Sequence, residues 1–335
     1  MNLSKSAALG RNQLSITGIV VPYWADVKKD DLTYFSKLAE DLGYHSIWVP
    51  EMWGRDAFSL ISHMAAVTER INLATGIISV YSRSPALIAQ TAATVDEYCG
   101  ERFILGLGIS SVYLNEYWHG TKFERPLRRT LECVEIIRTV LAGKRVDYEG
   151  EIFRLKNFRL LFKPRRSEIP IYIASMGPRN IELTSRVADG WIPYLCPVSL
   201  INERKKVLAS GGRKITVAPF IPAMVSEDRS ESREIVREFV ALYVCSMGDY
   251  YHKLVSSYGF GEEADRAKNL WRENRAEAIK SISDELLDLV SVSGSPEEGR
   301  AKLGEFAESS DLPILMFPYN ASREQTAFAM KALAP

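Results

Sequence analysis

The sequence predicts an α/β protein, a (β/α)8 TIM barrel carrying insertions, and three observations make that prediction. Eight short apolar runs recur along the chain, and helical sequence separates each from the next. Leu73–Gly108 reads as one complete βαβ unit, which implies parallel strands joined by a right-handed crossover. No Gly/Ser- or Pro-rich linker interrupts the alternation, so the 335 residues read as a single domain, 1–335. An open doubly wound sheet is the alternative that the same alternation allows.

Met1–Asn12 reads as a loose polar start, and Gln13–Val21 as the first strand, ended by Pro22. Asp30 and Asp31 begin a helix with Leu32, Phe35, Leu38, Ala39 and Leu42 on one face, and Gly43 closes it. Ser46–Val49 is the second strand; it runs into Pro50-Glu51-Met52-Trp53 and then a helix over Ala57–Val67. Asn72–Ile78 is the third. Pro85 opens the next helix, in which Leu87, Ile88, Ala92 and Val95 recur at helical spacing, and Gly100 ends it. Phe103–Leu107 is the fourth strand, followed by an aromatic, loop-like Tyr113–Lys122 and a long amphipathic helix, Pro126–Leu141. An insertion around 144–170 reads as a hairpin, Val146–Tyr148 with Ile152–Arg154, turning at Glu149-Gly150-Glu151. Ile171–Ala174, Gly190–Ile192 and Thr216–Val225 are the fifth to seventh strands, with a helix over Pro178–Ala188 between the first two. A second insertion, around 230–289, is helical throughout. Ser295-Pro296 starts another helix, Ile314–Phe317 is the eighth strand, and Glu324–Leu333 the last helix.

Composition narrows the function classes. The 42 Lys+Arg balance 42 Asp+Glu, which gives no electrostatic basis for a nucleic-acid or membrane partner. No apolar run approaches the roughly 20 residues that span a bilayer, and no signal-peptide pattern opens the chain. The four cysteines, Cys99, Cys133, Cys196 and Cys245, stand far apart without a CxxC pair. They read as buried free thiols in a reducing compartment, so a cytoplasmic location is expected.

Ligands bind at the C-terminal strand ends of parallel α/β folds, which directs attention to Pro50–Trp53, Gly76-Ile77, Gly108–Ser111 and Ala174–Pro178. These ends hold no nucleophile–base pair, and the chain has neither a Walker sequence nor a His/Cys cluster of metal spacing. Gly106-Leu107-Gly108 lacks the third glycine of a dinucleotide fingerprint. His45 and His63 read as structural, whereas His119 in Tyr117-Trp118-His119-Gly120 is a site candidate. Glu51, flanked by Pro50, Met52 and Trp53, is a candidate acid or base, with an ordinary ion pair as the other reading. Gly177-Pro178-Arg179-Asn180 opens a helix directly after a strand and favours an anion, although an ordinary βα turn has the same sequence. Trp53, Tyr81, Tyr113, Tyr117 and Trp118 suit either a planar ligand or simple packing. The residues alone do not name a reaction.

In combination, several segments resemble the luciferase-like monooxygenase superfamily. They are LAEDLGYHSIWVPE (Leu38–Glu51), TERINLATGI (Thr68–Ile77), RSPALIAQTAATVDEYCGERFILGLG (Arg83–Gly108), YEGEIFRL (Tyr148–Leu155) and IPIYIASMGPRNIELTSRVADGWIP (Ile169–Pro193). The likeness runs from Leu32 to Leu333. Within the superfamily, Trp53-Gly54-Arg55-Asp56, Trp118-His119-Gly120, the Gly177-Pro178 helix start and Ala188-Asp189-Gly190 are similar to the coenzyme F420 branch, near methylenetetrahydromethanopterin reductase. That resemblance implies hydride transfer between deazaflavin C5 and a small-molecule substrate (a pterin, ketone or alcohol), and a homodimer. It implies a non-proline cis peptide at Gly76-Ile77 behind the ring. Gly76, Ile77, Gly108, Ser110 and Ser111 would hold the ring and its side chain, and Ser175, Met176, Gly177, Pro178 and Arg179 the phosphate region. Trp53, Tyr81, Trp118 and His119 would face the substrate, and Glu51 would handle the proton. Met52 stands where sugar-phosphate dehydrogenases of the branch carry histidine, which argues against glucose-6-phosphate. An FMN-dependent monooxygenase using reduced flavin and oxygen, and a non-catalytic flavin-binding relative, are the alternatives.

Overall fold

Small hydroxyl and acid caps fix where the helices begin, and they separate the strands cleanly. Asp56 accepts from the Ser59 N–H, Ser84 from Leu87 ahead of Pro85, and Ser295 from Glu298, whose carboxylate returns the bond. The structure, a computed structural model, describes residues 16–22 and 27–335. The expected polar start and the first residues of the first strand lie outside them.

The elements run β1 (Gly18–Val20), α1 (Lys29–Asp41), β2 (Ser46–Val49), α2 (Ala57–Ala65), β3 (Asn72–Thr75), β4 (Ile78–Ser79), α3 (Pro85–Tyr98) and β5 (Phe103–Gly108). Next come α4 (Pro126–Leu141), the hairpin β6 (Val146–Glu149) and β7 (Arg154–Phe158), β8 (Ile171–Ala174), α5 (Pro178–Val187), β9 (Gly190–Ile192), α6 (Val198–Ala209), β10 (Thr216–Val217) and β11 (Phe220–Val225). The helical block comprises α7 (Arg229–Ser246), α8 (Asp249–Val255), α9 (Gly261–Leu270), α10 (Arg275–Lys280) and α11 (Asp284–Val290). The chain ends with β12 (Val292–Gly294), α12 (Pro296–Ser309), β13 (Ile314–Met316) and α13 (Arg323–Ala332).

All ladders but the hairpin's are parallel, in the order β10-β9-β8-β5-β3-β2-β1-β13-β11-β12. β10 and β11 are the two halves of the seventh strand, interrupted at Ala218-Pro219. One half pairs with β9 and the other with β13, and a bridge from Tyr194 to Phe220 spans the gap. The sheet therefore curls back on itself, and the open-sheet alternative fails. Trp48, Trp191 and Phe103 fill its core, each essentially inaccessible to solvent. No helix among the described residues is long and apolar enough to cross a membrane.

Carboxylates hold the N-terminal ends of the strands. Glu40 accepts from the N–H groups of Glu69, Arg70 and Ile71 just before β3. Asp96 accepts from Phe103 at the start of β5 and pairs with Arg166. Asp189 accepts from Ile171 at the start of β8 and pairs with Arg138 and Arg213. Asp311 takes the Val217 N–H. These bonds tie strand beginnings to helices and loops at the end of the barrel opposite the ligand-binding strand ends, where they serve stability.

Three expectations need correction. The third strand is not continuous over Asn72–Ile78 but breaks at a cis Gly76-Ile77 peptide, the bond the resemblance implied. The second hairpin strand is Arg154–Phe158, because Glu132 of α4 takes the N–H groups of Glu151, Ile152 and Phe153 and makes them the turn. β12 was not expected at all: it adds to β11 between two helices, pairing Ala223 with Val292.

Candidate active site

The break in the third strand shapes the barrel mouth. Ala74 pairs with Ile104 and Ile78 with Leu107, so four residues of this strand span three of its partner, which is a bulge. The Thr75 hydroxyl fills the gap: it donates to the Gly106 carbonyl and accepts the Gly106 N–H, both at 2.8 Å. Gly76 is anchored from the other side by its N–H to the Val49 carbonyl at 2.7 Å.

Glycines make this arrangement possible. A Cβ on Gly106 would lie 1.9 Å from the Thr75 carbonyl oxygen, and one on Gly76 2.7 Å from the Phe220 ring. At Gly108 it would meet the Ile77 side chain at 2.8 Å. Ile77 therefore lies across the bare end of β5, half-buried, and the bulge forms a shelf beside it. Beyond β5, Ser110 adopts the left-handed conformation (φ 54°), and the Ser111 hydroxyl accepts the Leu114 N–H at 3.2 Å. Asn115, fully buried, receives the Ser79 hydroxyl and donates to the Ile109 carbonyl, tying the bulge to the loop after β5.

Glu51 follows β2 at the same end. Its N–H donates to the Ile77 carbonyl at 3.2 Å. Its carboxylate receives both terminal nitrogens of Arg83 and, at 3.0 Å, the Ala57 N–H that starts α2. The Arg83 guanidinium also lies 5.3 Å from the centre of the Phe58 ring. Arg83 lies inside a motif, but nothing in its local sequence singles it out as a partner of Glu51, 32 residues away.

The aromatic candidates divide. Trp53 and Trp118 meet edge to face at 5.1 Å, Tyr113 packs on Trp118 and Tyr117, and all four are exposed over the mouth. His119 follows on the same turn and is exposed. Tyr81 does not join them. It is buried, stacked on Phe123 beneath Arg129, with its hydroxyl donated to the Glu124 carbonyl, so it is unavailable to a substrate.

At the end of β8, Ser175 is buried and its hydroxyl bonds Thr184 within α5 at 2.8 Å, while its carbonyl accepts from Trp191. Met176 is half-buried, and Gly177, Pro178 and Arg179 are exposed at the start of α5. Arg179 lines a surface groove with Leu127, Leu131 and Leu183 of the outer helices. The expected Ser175 and Arg179 contacts are thus turned away from the strand end, leaving Met176-Gly177-Pro178 as the open edge. Past β9, Tyr194 packs edge to face on Tyr243 and Tyr251 of the helical block, at 4.7 and 5.5 Å, and Tyr258 donates to the Leu195 carbonyl. These tyrosines form a packed wall. Burial pushes the Cys196 thiol beside them up to about 12, so it stays protonated.

Taken together, this is a barrel whose ligand end combines a bare glycine shelf, an open helix start and exposed tryptophans. The sequence matches the luciferase-like monooxygenase family over residues 14–311, and the chain belongs to that family; it is an oxidoreductase. It is 31% identical to a 5,10-methylenetetrahydromethanopterin reductase of Archaeoglobus fulgidus over 304 residues, 86% of this chain and 90% of that protein. It is 32% identical over 203 residues to an F420-dependent glucose-6-phosphate dehydrogenase of Microbacterium testaceum, covering 55% of this chain and 60% of that one. The fold is that of the coenzyme F420-dependent tetrahydromethanopterin reductase of Methanopyrus kandleri, with a TM-score of 0.83 at 21% identity over 96% of this chain and 97% of the other.

Proposed function

We propose that this chain is an F420-dependent oxidoreductase acting on a small organic substrate, a pterin, ketone or alcohol. The observation that carries the reading is the shelf itself: a bulge whose Ile77 lies over side-chain-free Gly108 at the mouth of a barrel of this family. A flat tricyclic ring fits such a surface, where any side chain at Gly108 would displace Ile77. Bound there, a deazaflavin supplies hydride chemistry at C5. Gly76, Ile77 and Gly108 would back the ring, Ser110 and Ser111 would meet its side chain, and Met176-Gly177-Pro178 would border the phosphate tail. Trp53, Trp118 and His119 would cover the substrate and limit water. A cytoplasmic homodimer belongs to the same reading, and sedimentation of the purified protein tests the dimer.

Anaerobic titration with reduced F420 and, separately, with FMN tests the cofactor. F420 binding with substrate turnover that consumes no oxygen supports the proposal. Tight FMN binding without F420 affinity, accompanied by oxygen uptake, overturns it in favour of the flavin monooxygenase alternative.

A further inference from the structure

We propose that Glu51 is a positioning residue, acting through Arg83 to hold the 77–83 segment against the cofactor, and that it does not carry the reaction's proton. The proposal rests on the cofactor reading above and deepens it. Glu51 grips both ends of that segment: its N–H holds the Ile77 carbonyl, and its carboxylate holds the Arg83 guanidinium through both oxygens. The middle of the segment is fixed to β5, by the Val80 N–H to the Gly108 carbonyl at 3.0 Å and through Ser79 to Asn115. One residue thus connects β2, the bulge and the start of α2: its backbone N–H holds Ile77, and its carboxylate holds Arg83 and the Ala57 N–H. The ion pair is largely enclosed, with side chains 11% and 20% exposed, and the guanidinium is seated over Phe58. A bidentate guanidinium pair engages both carboxylate oxygens and fixes the group in direction. Delivering a proton from Glu51 would require breaking that pair first. Sliding Ile77 or Arg83 would shift the surface on which the ring rests.

The experiment compares wild type with Glu51→Gln, Arg83→Ala, Arg83→Lys and the Glu51→Gln/Arg83→Ala double variant. F420 dissociation constants come from the cofactor's fluorescence, amide exchange is followed over residues 77–83, and pH–rate profiles are recorded. Glu51→Gln and Arg83→Ala are each expected to weaken F420 by about 10-fold or more, the loss of one charge-assisted bond. The double variant is expected to be no worse than either single one, because both remove the same contact. Exchange over 77–83 rises in the free variants, Arg83→Lys recovers part of the affinity, and both limbs of the pH profile persist. The proposal is overturned if Glu51→Gln binds F420 like wild type yet loses about 100-fold or more in kcat together with one pH limb. Additive losses in the double variant, or unchanged affinity in all variants, overturn it as well. Should wild type bind FMN instead of F420, the cofactor reading fails, and the same variants titrated with FMN still decide the role of Glu51.

Discussion

Replacing Thr75 with valine removes one oxygen and tests how the bulge is held. Thr75 is fully buried, and its hydroxyl is both the acceptor for the Gly106 N–H and a donor to the Gly106 carbonyl. Valine has nearly the same shape but offers neither bond, so two buried backbone groups lose these partners. Each such loss costs about 1–3 kcal/mol. The added methyl returns about 0.8 kcal/mol of apolar burial. The expected net loss is therefore about 1–5 kcal/mol, or about 1–7 °C in Tm at roughly 1.4 °C per kcal/mol for a chain of this size. Thr75→Ser, which keeps the hydroxyl and gives up only a methyl, is expected to lose about 1 kcal/mol. Urea and thermal unfolding of the purified variants measure both. A Thr75→Val protein as stable as wild type, or more stable than Thr75→Ser, would refute the argument that this hydroxyl replaces the missing ladder bonds.

Two further outcomes follow from the carboxylates. Glu132, fully buried, holds three backbone N–H groups of the hairpin turn at 2.8–3.0 Å, so Glu132→Ala is expected to cost about 2–3 kcal/mol. It should also speed proteolytic cleavage near 149–153; a cleavage pattern identical to wild type would count against it. Burial works to raise the carboxyls of Glu40, Glu132 and Asp189, yet their backbone and guanidinium donors outweigh it and hold all three below the usual range. A depressed carboxylate contributes its stability in full above its unfolded value, about 4, and loses it as pH falls through the folded value. The urea midpoint should thus decline below about pH 4 from this source; a midpoint unchanged down to pH 3 would contradict it.

Most of the barrel could be read from the chain because its signals are local. Ser84-Pro85 and Ser295-Pro296 begin helices as expected, and α4 spans Pro126–Leu141 as its periodicity indicated. The misreadings arose from partners distant in sequence. Glu132 lies nineteen residues before the first hairpin N–H it captures, so Ile152 and Phe153 looked like strand. β12 is only three residues long, too short to show a period between two helices. At the site, small residues at strand ends marked the mouth, but the direction of each side chain did not follow. Tyr81 turns inward to Phe123, Ser175 to Thr184, and Glu51 to Arg83. Several segments that carry the family likeness prove to serve the stable end of the barrel: Glu40 in LAEDLGY, Asp96 in ATVDEYCGERF and Asp189 in ADGW all grip strand beginnings there.

The short ladder between β11 and β12 has a consequence for how this fold can diversify. The chain leaves the barrel after Val225 and returns at Val292, and the Ser226 N–H already bonds the Gly294 carbonyl at 3.2 Å. The helical block between them is thus a closed loop with one doorway, clasped at its neck by parallel strands. The block also touches the turn after β13, where Glu238 accepts from Asn320 and Arg275 donates to the Tyr319 hydroxyl, so a replacement helical cassette has to keep those contacts as well as the neck. The tyrosines it contributes beside Tyr194 can then be rewritten wholesale, while the glycine shelf across the mouth stays as it is. A barrel with such a neck can acquire new substrates by module replacement as well as by point substitution.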